Sequence, residues 1–553
     1  MRKVIFPSAL VVPSELQNAG KLPAIIYPID QKNMISLFKE HYFVPNGADS
    51  FDIVIYEAHV KVADRIKQTD RIHLWKLDTK KDIGYTVWYG LSNMKLEADD
   101  SLVINFADVI VFEKLPTPLE DICYYETESI SSKWTFFNEV NGEITDIYDK
   151  LEDFKRIKSN NMFIGIFCIA HPNEFYEILD KKITGDYKEN IDSLYSALRE
   201  YSQRFRFNMI RPREWFDIGH IDKYYDAQLA IKSRNFNHIV IDRSRGILTK
   251  CSDNKEKLID EIKWYLKLPS DIEYIRPRIF RYSLRYDDVY VSMEYYAYHT
   301  LHELFLYGDL TEEQWINIFK RIHFILKDMG RYTTEDVSVE TALKDMYLHK
   351  TIKRMESLKQ NNYLIDFDKS IFINGKNYLS LNNIMKKLPQ IIEKNLLNTN
   401  KFCIIHGDMC FSNILIDPNY SFVKCIDPRG SFGSYDIYGD PRYEIAKLLH
   451  SIEGLYDYII KDMYELKCNG NEIIYQVHKQ EQECSILEVF QKVFSDELRG
   501  HDKEIKLIES LLFISMIPLH TESRDRQLAM LATGLSLLGE IENIQGSDFY
   551  GGK

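Results

Sequence analysis

Two short polar loops carry residue types that could do chemistry together. The first is His406-Gly407-Asp408-Met409-Cys410-Phe411-Ser412-Asn413-Ile414-Leu415, and the second is Lys424-Cys425-Ile426-Asp427-Pro428. Apolar runs at Phe402–Ile405 and Ile414–Ile416 read as strands that enter and leave the first loop. Phosphoryl transfer accounts for the spacing, because it needs positioning and charge neutralisation more than covalent participation. Asp408 is the carboxylate that would orient an acceptor hydroxyl and take its proton. Asn413 offers an amide oxygen to Mg²⁺, and Asp427 a carboxylate to bridge the metal to the β- and γ-phosphates. Such hard oxygen donors suit Mg²⁺, which keeps several of its waters. Taken one at a time, each of the three is an ordinary turn residue. His406 is expected to hydrogen-bond the loop, and Cys410 reads as a small packing residue.

The elements that must position these residues begin near residue 236. His238–Asp242 and Ile247–Lys250 read as two strands joined by a tight turn through Arg245-Gly246. Lys255–Leu268 is a helix stopped by Pro269. Val289–Glu294 is a further strand. The pattern is then mainly helical, with Thr311–Met329, Ser338–Lys359 and Asn382–Leu397 as its long members. A small β-rich lobe followed by a helical lobe implies a cleft between them.

With these elements in order, the segment resembles the aminoglycoside phosphotransferase and choline kinase family, which is protein-kinase-like. The H-G-D-x-x-x-x-N loop, the I-D-P loop and Gly439-Asp440-Pro441-Arg442-Tyr443-Glu444-Ile445-Ala446 carry the resemblance. It implies an α+β bilobal domain over 236–545, with an N-lobe at 236–305 and a C-lobe at 306–545. It implies that Lys250 pairs the nucleotide phosphates, that Glu261 is its ion-pair partner, and that Met293 and Glu294 receive adenine through backbone groups. ATP is then the phosphate donor and Mg²⁺ the cofactor. One departure is the loop Asp242-Arg243-Ser244-Arg245-Gly246, which is short and has a single glycine.

Residues 1–232 form a separate expectation. Val4–Phe6, Ile53–Tyr56, Leu102–Phe106 and Phe163–Cys168 read as buried strands, with amphipathic stretches such as Met34–His41 between them. This alternation argues for an α/β layer with a largely parallel sheet. Ala107-Asp108 ends one strand. Asn141–Lys150 looks like a hairpin. Trp215-Phe216-Asp217-Ile218-Gly219-His220 precedes a helix at Ile221–Ile231. In that order these motifs resemble the sugar-1-phosphate nucleotidyltransferases, whose fold is Rossmann-like. The resemblance implies that Asp108 and Asp217 share a metal, that Lys150 holds a sugar phosphate, and that CTP or another NTP is a substrate. The family's opening glycine-rich loop is absent. Ser8–Leu16 stands there instead, with Glu15 in it and Ala24 where a lysine is usual. Without glycines the backbone cannot approach a triphosphate in the same way.

The chain has 553 residues, enough for two or more domains. A net charge of −13 with no long basic run argues against nucleic acid or an anionic membrane as partner. Eight scattered cysteines with no C-x-x-C pair read as free thiols in a reducing compartment. No apolar run approaches the about 18 residues needed to span a bilayer, and Pro7 and Pro13 break the first one, which reads as a strand. A cytoplasmic enzyme of small molecules and nucleotides is therefore expected, its oligomeric state open.

The pairing of the two resemblances suggests a kinase and a nucleotidyltransferase acting in sequence on a precursor of surface polysaccharide such as capsule. Two alternatives stand beside it. One is a kinase whose first domain only binds a nucleotide sugar. The other is a binding protein without activity. The acceptor is left open among sugars, polyols and amino alcohols.

Overall fold

A computed structural model describes residues 1–544 apart from 43–48, 60–65, 67–68, 116–119, 186–188, 236–238, 243, 336–337, 362–363 and 480–481. His238 and Arg243 of the expected first hairpin thus lie outside the described residues. The chain divides into two compact units, Met1–Asn235 with Tyr307–Asp309, and Phe236–Leu306 with Leu310–Lys553.

The first unit is built on a nine-stranded sheet. Its main path runs Glu143–Asp149, Thr135–Val140, Asn161–Ile169, Ser101–Asn105, Arg2–Pro7, Asp49–Tyr56, Ile72–Leu77; Ile122–Thr127 branches from Asn161–Ile169 and pairs in turn with Asn208–Ile210. Arg2–Pro7 is parallel to both neighbours, and Asp49–Tyr56 is parallel to Ile72–Leu77. Beyond Ser101–Asn105 the pairing turns antiparallel, except that Asn208–Ile210 runs parallel to Ile122–Thr127. The sheet is therefore mixed, where the sequence pattern suggested a largely parallel one. The hairpin explains part of this. Asn141 and Gly142 adopt φ of 50° and 79°, the turn that returns a strand antiparallel without a crossover helix.

Strand alternation assigns the two faces of this sheet. Phe6 stacks on Phe38 of the helix Met34–Tyr42 with ring centroids 4.7 Å apart. Its neighbour Ile5 joins Val54, Leu91, Phe167, Phe175 and Leu198 in the core shared with the helices Ile83–Asn93, Pro172–Thr184 and Ser193–Arg204. Each such buried side chain stabilises the unit by about 1.5–3 kcal/mol. A Cβ on Gly90 would lie 2.4 Å from Ile5 Cδ1, so glycine lets that helix rest directly on the strand. The N-termini of two helices cap each other: Asp82 accepts from Tyr85 N and Ser193 N, and Asp192 accepts from Leu194 N, Ile83 N and Gly84 N. Two carboxylates between two helix N-termini meet the positive ends of both dipoles.

The second unit opens with a four-stranded antiparallel sheet in the order Ile239–Asp242, Ile247–Lys250, Tyr290–Glu294, Ile279–Ser283. The helix Lys255–Lys267 follows the second of these strands and is capped by Asn254, whose side chain accepts from Lys257 N. Long helices come next. Glu312–Gly330 begins in a capping box of Thr311 and Gln314. Leu381–Leu396 contains Pro389, and Pro441–Ile452, Asp502–Met516 and Arg524–Ile541 complete the set. The stretch read as one helix over Ser338–Lys359 is helical throughout most of its length but contains a π-helical segment, Lys344–His349.

The region read as mainly helical also holds a four-stranded sheet, Lys376–Tyr378, Ile371–Ile373, Glu472–Val477, Tyr464–Asn469. Its first hairpin turns through Asn374-Gly375 at φ of 49° and 81°. No helix among the described residues is long and apolar enough to cross a membrane.

Candidate active sites

In the second unit, Lys250 lies on an inner strand of the first sheet and Glu261 one face of a helix away. Lys250 Nζ is 2.9 Å from Glu261 Oε2 and 2.7 Å from Asp427 Oδ1. Burial alone would drive the proton off Lys250, but the two carboxylates hold it above the usual lysine range. Burial, with Asp427 adding to it, pushes Glu261 up to about 7. Asp427 follows the strand Val423–Cys425 and takes a left-handed φ of 55°. Tyr265 Oη lies 3.1 Å from its amide.

The loop after Asp427 is seated against the helix that carries Glu261. Gly430 has φ of 70°, and a Cβ there would come within 2.2 Å of Asp260 O and 2.8 Å of Glu261 N. Glycine is required on both counts.

Asn413 donates through Nδ2 to Asp408 O at 2.9 Å and Asp408 Oδ2 at 3.3 Å. That orientation turns its carbonyl oxygen away from Asp408. The backbone ties the two loops, since Ile426 N donates to Asn413 O at 3.0 Å. Asp408 itself meets a residue that the motif does not contain: Lys447 Nζ is 2.8 Å from Asp408 Oδ1. Although burial opposes it, Lys447 holds the Asp408 carboxyl well below the usual carboxylate range.

Lys447 and Glu444 lie one turn apart on the helix Pro441–Ile452, whose N-cap Asp440 accepts from Arg442 N. Glu444 accepts from His406 N at 3.1 Å and Gly407 N at 2.8 Å. One helix thus fixes both the entry of the loop and its acid. His406 is buried with its ring edge-on to Trp264; burial lowers its pKa to about 4, against backbone groups of Ile426 and Asp408 that favour its charged form. Glu444 and Trp264, whose Nε1 donates to Ile405 O at 2.7 Å, hold the loop as well. Cys410 is buried, with its thiol pushed up to about 12.

Met293 and Glu294 end an inner strand of the same sheet. The amide of Glu294 donates to Arg278 O and that of Tyr295 to Gly246 O, both at 2.8 Å, so these two donors are used within the lobe.

In the first unit, Asp108 sits in the turn between Ser101–Asn105 and Val109–Val111, and Asp217 ends the strand Trp215–Asp217. The last two strands pair antiparallel with Asp217 opposite Val109, which brings the two acids together. A Cβ on Gly219 would lie 2.7 Å from Asp108 Oδ2 and 3.0 Å from Asp217 Oδ1, so only glycine fits beside the pair. Asp217 accepts from Gly219 N at 2.5 Å and is 2.6 Å from His220 Nδ1. Asp108 Oδ1 is buried without a hydrogen-bond partner among the described residues. Burial, and then the charge of Asp217, push Asp108 up to about 8. A buried oxygen without a donor beside a second carboxylate fits a divalent cation.

Asp108, Lys150, Gly219 and His220 line a cavity of about 310 Å³, together with Lys80, Lys81 and Lys133. Ser8–Pro13 and Ala24 form another part of its wall, so the loop that lacks glycines does border the cavity. The three further lysines carried no motif; only the pair Lys80-Lys81 just before a capped helix hinted at them. Among the described residues no group of three or more His, Cys, Asp and Glu side chains is placed to hold a metal.

No family model matches the chain, and no curated protein matches it. Solved structures similar to it fall in two groups. The inositol-1-phosphate CTP transferase from T. maritima is 14% identical, over 40% of this chain and 90% of that one, with a TM-score of 0.30. The choline kinase from Streptococcus pneumoniae is 13% identical, over 55% of this chain and 90% of that one, with a TM-score of 0.32. An ADP-bound aminoglycoside phosphotransferase is 17% identical, over 56% of this chain and 97% of that one, with a TM-score of 0.32. The activities in those names are those proteins' own.

Proposed function

We propose that the second unit transfers the γ-phosphoryl group of ATP to the hydroxyl of a small molecule, a sugar, polyol or amino alcohol. The observation that carries this reading is the contact of Lys250 with both Glu261 and Asp427, beside a loop in which Asn413 binds Asp408. Asn413 and Asp427 would hold Mg²⁺, whose chemistry when bound is to neutralise charge on the β- and γ-phosphates. Lys250 would reach the phosphates, and the strand end at Met293 and Glu294 would meet adenine. Asp408, kept ionised by Lys447, is a weak base. Its work is to accept a hydrogen bond from the acceptor hydroxyl and align it. It takes the proton late, as the new O–P bond forms and ADP leaves. A loose transition state asks little more of a base.

In the same reading the first unit joins an NTP to a phosphorylated alcohol and releases pyrophosphate. What favours it is the buried pair Asp108–Asp217, whose mutual repulsion a divalent cation would relieve. Lys150 would hold the phosphate of the alcohol. The product of the kinase is the class of compound that such a step consumes, so the two would make an NDP-activated precursor, with surface polysaccharide as the setting and the cytoplasm as the compartment.

The test is to incubate the purified chain with MgATP or MgCTP and a pool of sugars, polyols, amino alcohols and their phosphates, and to follow ADP and pyrophosphate separately. ADP and pyrophosphate together, the latter lost in Asp217→Ala, are expected. ADP alone would leave a kinase with a first unit that only binds. ADP release insensitive to Asp408→Asn would overturn the site.

A further inference from the structure

Besides Lys447, the charge of Arg429 reaches Asp408, and Lys350 feels Arg429, Arg354 and Asp408. Lys350 and Arg354 are four residues apart on the helix Lys350–Asn361, hence neighbours on one face, where like charges destabilise a helix. Arg354 Nη1 donates to Ser515 O at 2.9 Å, and it has no ion pair among the described residues. Lys350, half-buried, has neither a hydrogen bond nor an ion pair among them.

Arg429 completes the group. Its stem covers Gly407, the residue before Asp408, where an added Cβ would lie 2.9 Å from Arg429 Cβ. Its Nη1 reaches Tyr443 Oη at 3.3 Å, while Nε is buried with no partner among the described residues.

The nearby carboxylates are engaged elsewhere. Asp408 is taken by Lys447, Glu444 by two amides and Asp427 by Lys250. The electrostatics agree with the geometry. Burial, then Arg429, Arg354 and Lys447, pull Lys350 well below the ordinary lysine range. Arg354 and Arg429 stay cationic whatever their surroundings, and neither has an ion pair among the described residues. An anion arriving with the substrate would match them and favour the protonated form of Lys350.

We propose that the alcohol phosphorylated at Asp408 already carries an anionic group, a phosphate or a carboxylate, held by Lys350, Arg354 and Arg429. This rests on the kinase reading and narrows its acceptor. An amino alcohol would add one more positive charge to the cluster.

Two measurements on the full chain test it. The first is calorimetric binding of inorganic phosphate and of malonate, which separate the two sources of negative charge. The variants are Lys350→Met and Arg354→Met, with Arg354→Lys as the charge-keeping control. At least one anion is expected to bind, tenfold or more weakly in the two neutral variants, and near normally in the control. Binding that is absent, or indifferent to both variants, would overturn the proposal.

The second is Asp408-dependent ADP release with glycerol, glycerol 3-phosphate, glycerate and ethanolamine. At least a tenfold preference in kcat/KM for an anionic member is expected. Equal or better turnover of glycerol or ethanolamine would overturn the proposal, as would a rise in KM for ATP rather than for acceptor in Arg354→Met. Anion binding lost in Arg354→Met without any Asp408-dependent ADP would instead remove the kinase reading and leave the anion site.

Discussion

Lys447 Nζ stands 2.8 Å from Asp408 Oδ1, so the acid of the central motif is bound to a lysine thirty-nine residues further along the chain. The carboxyl is held below its usual range and the ammonium above its own. The carboxylate therefore stabilises the fold above the unfolded carboxyl range, and that stabilisation is lost as pH falls through its folded pKa. The ammonium stabilises below the unfolded lysine range, and its share is lost as pH rises through its folded pKa. The pair is intact across neutral pH.

Lys447→Met is expected to release Asp408 toward its ordinary value of about 3.9, or beyond it through burial. The acid limb of the pH profile of kcat/KM should move to higher pH. An acid limb that stays in place would mean that Lys447 does not set the charge of Asp408.

Asp408→Asn should lower kcat by roughly 10²–10⁴-fold, the range for a positioned general base, with little change in KM for ATP. Lys250 and Asp427, which the proposed function places at the nucleotide, keep their own contact in this variant. Steady-state ADP release at saturating MgATP reads both values.

Glu261→Gln leaves Lys250 with Asp427 as its ionised partner. Lys250 should then be drawn toward the metal loop, and KM for ATP should rise by about tenfold, the equivalent of about 1.4 kcal/mol. Asp427→Ala should remove Mg-dependent nucleotide binding altogether. Titration of a fluorescent ATP analogue with and without Mg²⁺ separates the two outcomes.

In the first unit, Asp108 has its pKa raised to about 8. A raised carboxyl contributes stability that is present at acid pH and lost as pH rises through the folded value. Thermal stability should thus decline toward pH 8, and Mn²⁺ or Mg²⁺ should restore it there far more than at pH 5, because the cation binds the ionised pair. Asp217→Asn should flatten both trends. Melting curves of the whole chain at the two pH values, with and without metal, provide the measurement.

How much of this could be read from the sequence depended on spacing. Asp408 and Asn413 share one loop, and Asp427 ends the strand that pairs with the one Asn413 introduces, so short-range pattern alone placed them near each other. Lys447 was not legible. It lies beyond the Gly439–Ala446 stretch, on a helix whose periodicity tells which face is buried but not which distant residue that face meets. Lys350, Arg354 and Lys133 were hidden for the same reason, since such a cation looks like any solvated one until the fold is known. The sheet at 371–378 and 464–477 is a different failure. Asn374-Gly375 is a plain hairpin signal, and the surrounding helical pattern outweighed it.

Gly430 presses bare backbone against the backbone of Asp260 and Glu261. The loop bearing Asp427 and the helix bearing Glu261 are therefore welded at that seam, with no side chain to act as a spring between them. An outward swing of that helix, the movement that would part Glu261 from Lys250, would have to tear the seam first.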